Sequence, residues 1–423
     1  MPLRSRRAPL LALPVAVAVA ACSRETGTNP RVTPDSMSRV ASAYVDTAVA
    51  FTRDVWYWSP ELDWPRTRAR VRARTPNAET TAQTYPAIEY MVDSIIAPRP
   101  DPHTGFWPPE RAPGRANAPA SDTRAVAQGQ LLALPTAARQ AAYLWMPGFT
   151  GTSSVGRADS VQTVIRTLDE GAPCGWIIDL RRNPGGSWPA MMAGLNPIVG
   201  DAVASATATG LGGFVERAGA RVNYTLQGGG AGIYVPAQPG QARDTTVIFT
   251  RATTPYTLRR PNLPVALLQG GSTASAGEII VLSFRGTGIP TRSFGDSTFG
   301  VTTQPYGMYL RPDSAFLNVT AAVMFDRTGQ LWGGKIGPDE RIVGAGVISA
   351  RDLTPTPQAG DAVLTAARAW MAARPECTGA VTAEGPARAR APQGPVTQPG
   401  EAKPLSVPID RVSPWLVGPR RLD

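Results

Sequence analysis

Between residues 143 and 192 the chain alternates two hydrophobic rhythms, and that alternation restricts the fold more than any other feature. Tyr143-Leu144-Trp145-Met146 is a short apolar run of the kind a buried strand needs. Val161, Val164, Ile165 and Leu168 then recur at helical spacing and stop at Gly171 and Pro173. Gly175-Trp176-Ile177-Ile178-Asp179-Leu180 is a second buried run, and Arg181-Arg182-Asn183-Pro184-Gly185-Gly186 turns the chain into another helical stretch through Met191 and Met192. Strand, helix, strand, glycine turn and helix in this order predict α/β layering, because each crossover helix must cover the sheet it leaves.

The same alternation resumes at Pro264-Val265-Ala266-Leu267-Leu268, followed by a turn at Ser275 and a helix from about Ala276 to Phe284. Residues 200–260 are rich in Gly and Thr with short alternating runs, and read as β-hairpins inserted beside the core. A strand near Phe316 to Met324, a turn at Gly337-Pro338-Asp339-Glu340 and a helix bearing Val363, Ala367, Trp370 and Met371 complete the core, taken as residues 99–376. Ahead of it, Val40, Tyr44, Ala48, Phe51, Val55 and Trp58 recur at three- and four-residue steps, and a second helical stretch runs through Ile88, Met91, Val92, Ile95 and Ile96. Residues 36–98 therefore read as an N-terminal helical subdomain. Residues 377–423 are Pro-, Ala- and Gly-rich with few large apolar side chains, and are expected to be a disordered tail.

The first residues predict export. Arg4, Arg6 and Arg7 precede an apolar run from Ala8 to Ala21 that is too short for a membrane span. Val19-Ala20-Ala21-Cys22 is similar to a bacterial lipobox, in which the cysteine becomes the lipidated mature N-terminus. Residues 1–22 are thus expected to be a lipoprotein signal, 23–35 a tether, and the membrane a partner only through that anchor, in the cell envelope. Cys174 and Cys377 are the remaining cysteines; a bridge between them is compatible with an oxidising compartment and is not fixed by the sequence. No Cys/His cluster suggests a metal, and no phosphate cradle of the GxGxxG or GxxxxGK type suggests a nucleotide cofactor. The formal charge of +10 rests on arginine spread along the chain with only Lys335 and Lys403 as lysines, which argues against a nucleic-acid footprint.

One histidine, His103, stands in Asp101-Pro102-His103-Thr104-Gly105-Phe106, so a single position can supply an imidazole base. Downstream, Thr273-Ala274-Ser275-Ala276-Gly277-Glu278 places a serine where a strand passes into a helix. Asp179 to Gly186, Thr273 to Glu278, Gly295-Asp296-Ser297-Thr298-Phe299-Gly300 and Pro338-Asp339-Glu340 follow one another in the order of the signatures of the C-terminal processing (tail-specific) peptidases, which include the tricorn-core serine peptidases. The chain resembles that family over about residues 36–375.

The resemblance implies a crotonase-like α/β core with a mixed sheet and flanking helices, and hydrolysis of peptide bonds in peptides or unfolded protein through an acyl-enzyme. It implies Ser275 as nucleophile, with an oxyanion hole from the Ala276 N–H and the N–H of Gly185 or Gly186. A serine at a helix N-terminus and glycines that let backbone approach substrate agree with those roles. The family's processing branch places a lysine just after the Thr-Phe-Gly turn, where this chain has Val301; the tricorn-like branch uses a histidine, which points to His103, with Lys335 as a fallback that would need burial. For the group that steadies the imidazole, Glu278 is the first expectation, with Asp101, Asp339 and Glu340 as alternatives. About 40 residues separate His103 from the Tyr143 strand, too few for a peptide-binding PDZ module of ~90 residues. The alternative function is a catalytically inactive peptide- or ligand-binding protein on the same fold.

Overall fold

The computed structural model describes residues 36–96, 103–112, 126–149, 154–237, 243–343 and 360–379. The expected signal, Cys22, the tether, Asp101 and the tail beyond residue 379 lie outside them. In chain order the helices are α1 (Arg39–Val55), α2 (Trp64–Arg72), α3 (Tyr85–Tyr90, continued by a π-helical turn Met91–Ile96), α4 (Ser154–Glu170), α5 (Trp188–Val199), α6 (Ala276–Phe284), α7 (Ala362–Ala372) and α8 (Pro375–Thr378). The strands are β1 (Gly105–Trp107), β2 (Gln128–Ala133), β3 (Gln140–Trp145), β4 (Trp176–Asp179), β5 (Ala204–Ser205), β6 (Ala208–Thr209), β7 (Gly213–Glu216) and β8 (Arg221–Gln227). They continue as β9 (Gly230–Val235), β10 (Thr245–Arg251), β11 (Val265–Gln269), β12 (Thr291–Gly295), β13 (Thr303–Tyr309), β14 (Phe316–Phe325) and β15 (Glu340–Arg341).

Two sheets organise the molecule. The first runs β15-β12-β11-β4-β3-β2, with β3, β4, β11, β12 and β15 parallel and β2 antiparallel on the edge. Stepping from β3 to β4, β11 and β12 moves in one direction across the sheet, so right-handed crossovers place α4, α5 and α6 on one face. Alternate residues of each strand divide accordingly. Leu144, Ile178, Val265 and Leu267 face those helices, while Tyr143, Trp145, Ile177, Ala266 and Leu268 face α7. All are at most 1 % exposed, and truncating one such leucine to alanine costs about 2–5 kcal/mol.

The second sheet is antiparallel, in the order β1-β14-β7-β8-β9-β10 with β13 on the other side of β14. The 200–260 stretch is therefore not an insertion set beside the core. Its strands β7 to β10 are completed by β14 and β13, which come after the Ser275 turn, and Phe214, Tyr224, Ile233, Ala322 and Met324 close the same core over α4, α5 and α6. The opposite face of β13 and β14, through Met308, Leu317, Val319 and Ala321, carries the N-terminal helices. Those helices pack with this face in a cluster separate from the one over α4, α5 and α6. Tyr44 and Tyr85 donate hydrogen bonds to Asp313 at 2.6 and 2.7 Å from α1 and α3, and against the opposing effect of its burial they hold the Asp313 carboxyl below the usual carboxylate range.

The C-terminal end of the core is pinned twice. Arg181, 6 % exposed, forms paired hydrogen bonds with Asp179 on β4 and with Asp361 at the N-cap of α7. Cys377, placed by sequence at the start of the tail, is fully buried in α8 and disulfide-bonded to Cys174. Among the described residues no helix is long and apolar enough to cross a membrane.

Candidate active site

Three neighbouring parallel strands, β4, β11 and β12, end on the same edge of the sheet, and each runs into one of the signature loops. In open α/β sheets this carboxyl edge is where sites are built. The β11 loop passes through Gly270 to Ala274 and reaches Ser275, the N-cap of α6, at φ 51° and ψ −115°. A non-glycine residue there carries about 1–3 kcal/mol of strain, held only because its surroundings fix it.

Those surroundings can be named. On one side the β4 loop docks through the Asn183 carbonyl, which accepts from Ala274 N–H at 2.9 Å, while the Thr273 hydroxyl donates to the Leu180 carbonyl at 2.8 Å. On the other side lies Glu278, one turn along α6 and fully buried. Its carboxylate accepts from Ser275 N–H (2.8 Å), Thr298 Oγ1 (2.6 Å), Gly300 N–H (2.9 Å) and Val301 N–H (2.9 Å), binding the serine turn to the turn after β12. Burial pushes this carboxyl above its ordinary value, and the four donors pull against that shift.

Gly185 and Gly186 are both at positive φ, +102° and +116°. A side chain on Gly185 would lie 2.8 Å from Ser275 Cβ and 3.0 Å from the Ala276 nitrogen, so the glycine loop abuts the serine turn. A side chain on Gly186 would meet the Phe149 carbonyl at 2.0 Å. The two glycines differ in what they offer. Gly185 N–H donates to Asn183 Oδ1 at 2.9 Å and is already committed. Gly186 is exposed, and the bridge it forms with Phe149 uses the Gly185 carbonyl and the Ser187 N–H, leaving its own N–H out of that ladder. Of the expected pair, Gly186 is therefore the one whose N–H is not engaged by Asn183 or by the Phe149 bridge, and Ala276 is the first residue of α6.

His103 precedes β1, whose pairing with β14 carries the imidazole to the second sheet: the His103 carbonyl accepts from Asn318 Nδ2 at 2.7 Å and Thr104 Oγ1 from Thr320 N–H at 3.0 Å. His103 Nδ1 lies 2.7 Å from Thr303 Oγ1, at the start of β13. Thr303 is buried and only two residues beyond Val301, so its Cα lies within about 7 Å of the residue clamped by Glu278. The chain from Thr298 to Thr303 thus touches the serine turn at one end and the imidazole at the other.

The group against Nδ1 is Thr303, where the sequence pointed first to Glu278. The Glu278 oxygens are filled by four donors, none of them the imidazole. Asp339 accepts from the Ser293 N–H and hydroxyl, and Glu340 pairs with Arg292 at 3.3 Å, so both brace β12. Lys335 is exposed, with its stem over Gly300, and lacks the burial a lysine base requires. Nothing in Val301-Thr302-Thr303 marks one hydroxyl from the next; the role of Thr303 comes from β13 pairing alongside β14. Among the described residues no cluster of three His, Cys, Asp or Glu side chains converges as a metal site would.

Comparison with known proteins bears on this arrangement. A nisin-resistance protein from Lactococcus lactis subsp. lactis is 25% identical over 290 residues, covering 68% of this chain and 79% of that protein. Among solved structures, the photosystem II D1 C-terminal processing protease superposes with a TM-score of 0.50 at 16% identity, over 71% of this chain and 93% of that one, a likeness of fold. A lipoprotein from Streptococcus agalactiae aligns with a TM-score of 0.49 at 18% identity, over 72% and 93% of the two chains. Residues 140–342, which span the three signature loops, match the sequence model of peptidase family S41, and this match supports a serine peptidase.

Proposed function

We propose that this chain is an exported, lipid-anchored serine endopeptidase with a histidine base, on a crotonase-like core, cleaving peptides or unfolded protein in the cell envelope. Ser275 Oγ attacks the scissile carbonyl while His103 Nε2 takes its proton, because Nδ1 is engaged by Thr303. The developing oxyanion sits against the N–H groups of Ala276 and Gly186. His103 then returns the proton to the leaving amine, and water hydrolyses the acyl group on Ser275 by the same exchange. Glu278 touches neither reacting atom; it positions Ser275 by holding the turn that carries it.

The observation that carries this reading is the strained backbone of Ser275 at a helix N-terminus with a glycine loop pressed against it. Similarity to a nisin-resistance protein supports a peptide as substrate, and the disulfide supports an oxidising compartment. Peptide hydrolysis by the full chain is expected to vanish in Ser275→Ala with the circular dichroism spectrum unchanged. Equal hydrolysis by both proteins would overturn the assignment. The neutral partner at Nδ1 favours, as second reading, a protein that binds peptides and turns them over slowly or not at all; peptide binding without hydrolysis at every pH would select it.

A further inference from the structure

The free edge of the second sheet breaks the alternation expected of a strand. In β10 both Ile248 (37 % exposed) and Phe249 (43 %) reach solvent, although neighbours on a regular strand point to opposite faces. The cause is a bulge: Ile248 pairs with Gly232 and Thr250 with Ala231, leaving Phe249 without a ladder partner. Bulges re-aim side chains, and here the ring packs edge-on against Trp188 with centroids 6.1 Å apart. Trp188 in turn lies over Tyr224 at 4.5 Å, which fixes its plane.

Trp188 is the first residue of α5 and stands two residues after Gly186, so its backbone lies within about 7 Å of the oxyanion donor. Single exposed apolar residues need no explanation, but two adjacent ones at a bulge do, when one of them packs edge-on against a half-buried indole whose backbone stands two residues from Gly186. The cross-strand partners of Ile248 and Thr250, Gly232 and Ala231, are small.

We infer that Trp188 and Phe249 form an apolar subsite that receives a large apolar side chain, aromatic or leucine-like, of the peptide next to the bond to be cut. The inference rests on Ser275 as nucleophile and Gly186 as oxyanion donor. It makes β10 a specificity element of the cleft.

The test uses otherwise identical fluorescein-labelled peptides in which one position is Ala, Leu or Phe, bound to full-length Ser275→Ala by fluorescence anisotropy. Binding is expected to favour Phe and Leu over Ala by roughly tenfold or more, and Phe249→Ala in the same background is expected to erase that preference while leaving the Ala peptide unchanged. Trp188→Ala should act in the same direction. No preference, no binding, or a preference that survives Phe249→Ala would overturn the subsite. Conversion of a dimer to a monomer by Phe249→Ala, with the preference intact, would assign the patch to a second copy and also overturn it. Labelling of the wild-type chain by a fluorophosphonate reads the nucleophile independently, so a failed catalytic assignment is distinguishable from a failed subsite.

Discussion

Removing the Glu278 carboxylate should cost both stability and the shape of the serine turn. In Glu278→Ala the N–H groups of Ser275, Gly300 and Val301 and the Thr298 hydroxyl proton lose the acceptor that a fully buried side chain supplied; the Thr298 oxygen still accepts from Ile336 N–H at 2.9 Å. Each buried orphan costs about 1–3 kcal/mol, so the three N–H groups alone predict a loss of about 3 kcal/mol or more, a large part of the 5–15 kcal/mol that holds a typical domain. The isosteric Glu278→Gln keeps one oxygen for two donors and turns an amide toward the rest, predicting a smaller loss of about 2 kcal/mol. The pH dependence has a definite sign. Because burial raises the Glu278 carboxyl above its unfolded value, its contribution is fully present below the unfolded pKa and falls as pH rises through the folded one. Urea denaturation followed by circular dichroism at pH 4 and pH 7 should therefore show a larger gap between wild type and Glu278→Gln at the lower pH. A loss under about 1 kcal/mol for Glu278→Ala, or a gap that widens with pH, would refute the clamp as described.

Other outcomes follow from the same geometry. Thr303→Val removes the hydroxyl at His103 Nδ1 and is expected to lower kcat/KM about tenfold or more, within the ~10²–10⁴ that a general base supplies, whereas Thr303→Ser should retain most activity; equal kcat/KM for all three would remove Thr303 from the site. Gly186→Ala forces a side chain into the Phe149 carbonyl at positive φ, so turnover should be lost with a destabilisation of about 1–3 kcal/mol, and an active, stable variant would show that this loop is not the donor. Cys174→Ser is expected to lower stability by about 2–4 kcal/mol, and reductant should lower the wild-type melting temperature without affecting the variant; the reverse would place the bridge outside the native fold.

Where chemistry and hydrophobic period coincide, the sequence was sufficient. The buried runs at Tyr143, Trp176 and Val265 are strands β3, β4 and β11, and the helix expected from about Ala276 to Phe284 is α6. β2 was missed because Gln128-Gly129-Gln130-Leu131-Leu132-Ala133 has no β-branched or aromatic residue and sits on an edge, where neither face is fully buried. α2 was missed because five of its nine residues are Arg or Ala around one buried valine, a face too narrow to read as periodic. The union of the 200–260 strands with β13 and β14 joins segments about 100 residues apart, and no local pattern encodes such a pairing. The same limit hid Thr303, whose role depends on a strand partner, and gave Glu278 an expected task that its four donors redirect. The choice between Gly185 and Gly186 turned on one side-chain bond from Asn183.

The most direct test is the rate at which a fluorophosphonate modifies the full-length chain, with the adduct located by mass spectrometry. The phosphonyl group is expected on Ser275 in the wild type, absent in Ser275→Ala, and formed at least ~100-fold more slowly in His103→Ala. An adduct on another residue, or equal rates with and without the imidazole, would contradict the pairing of Ser275 with His103.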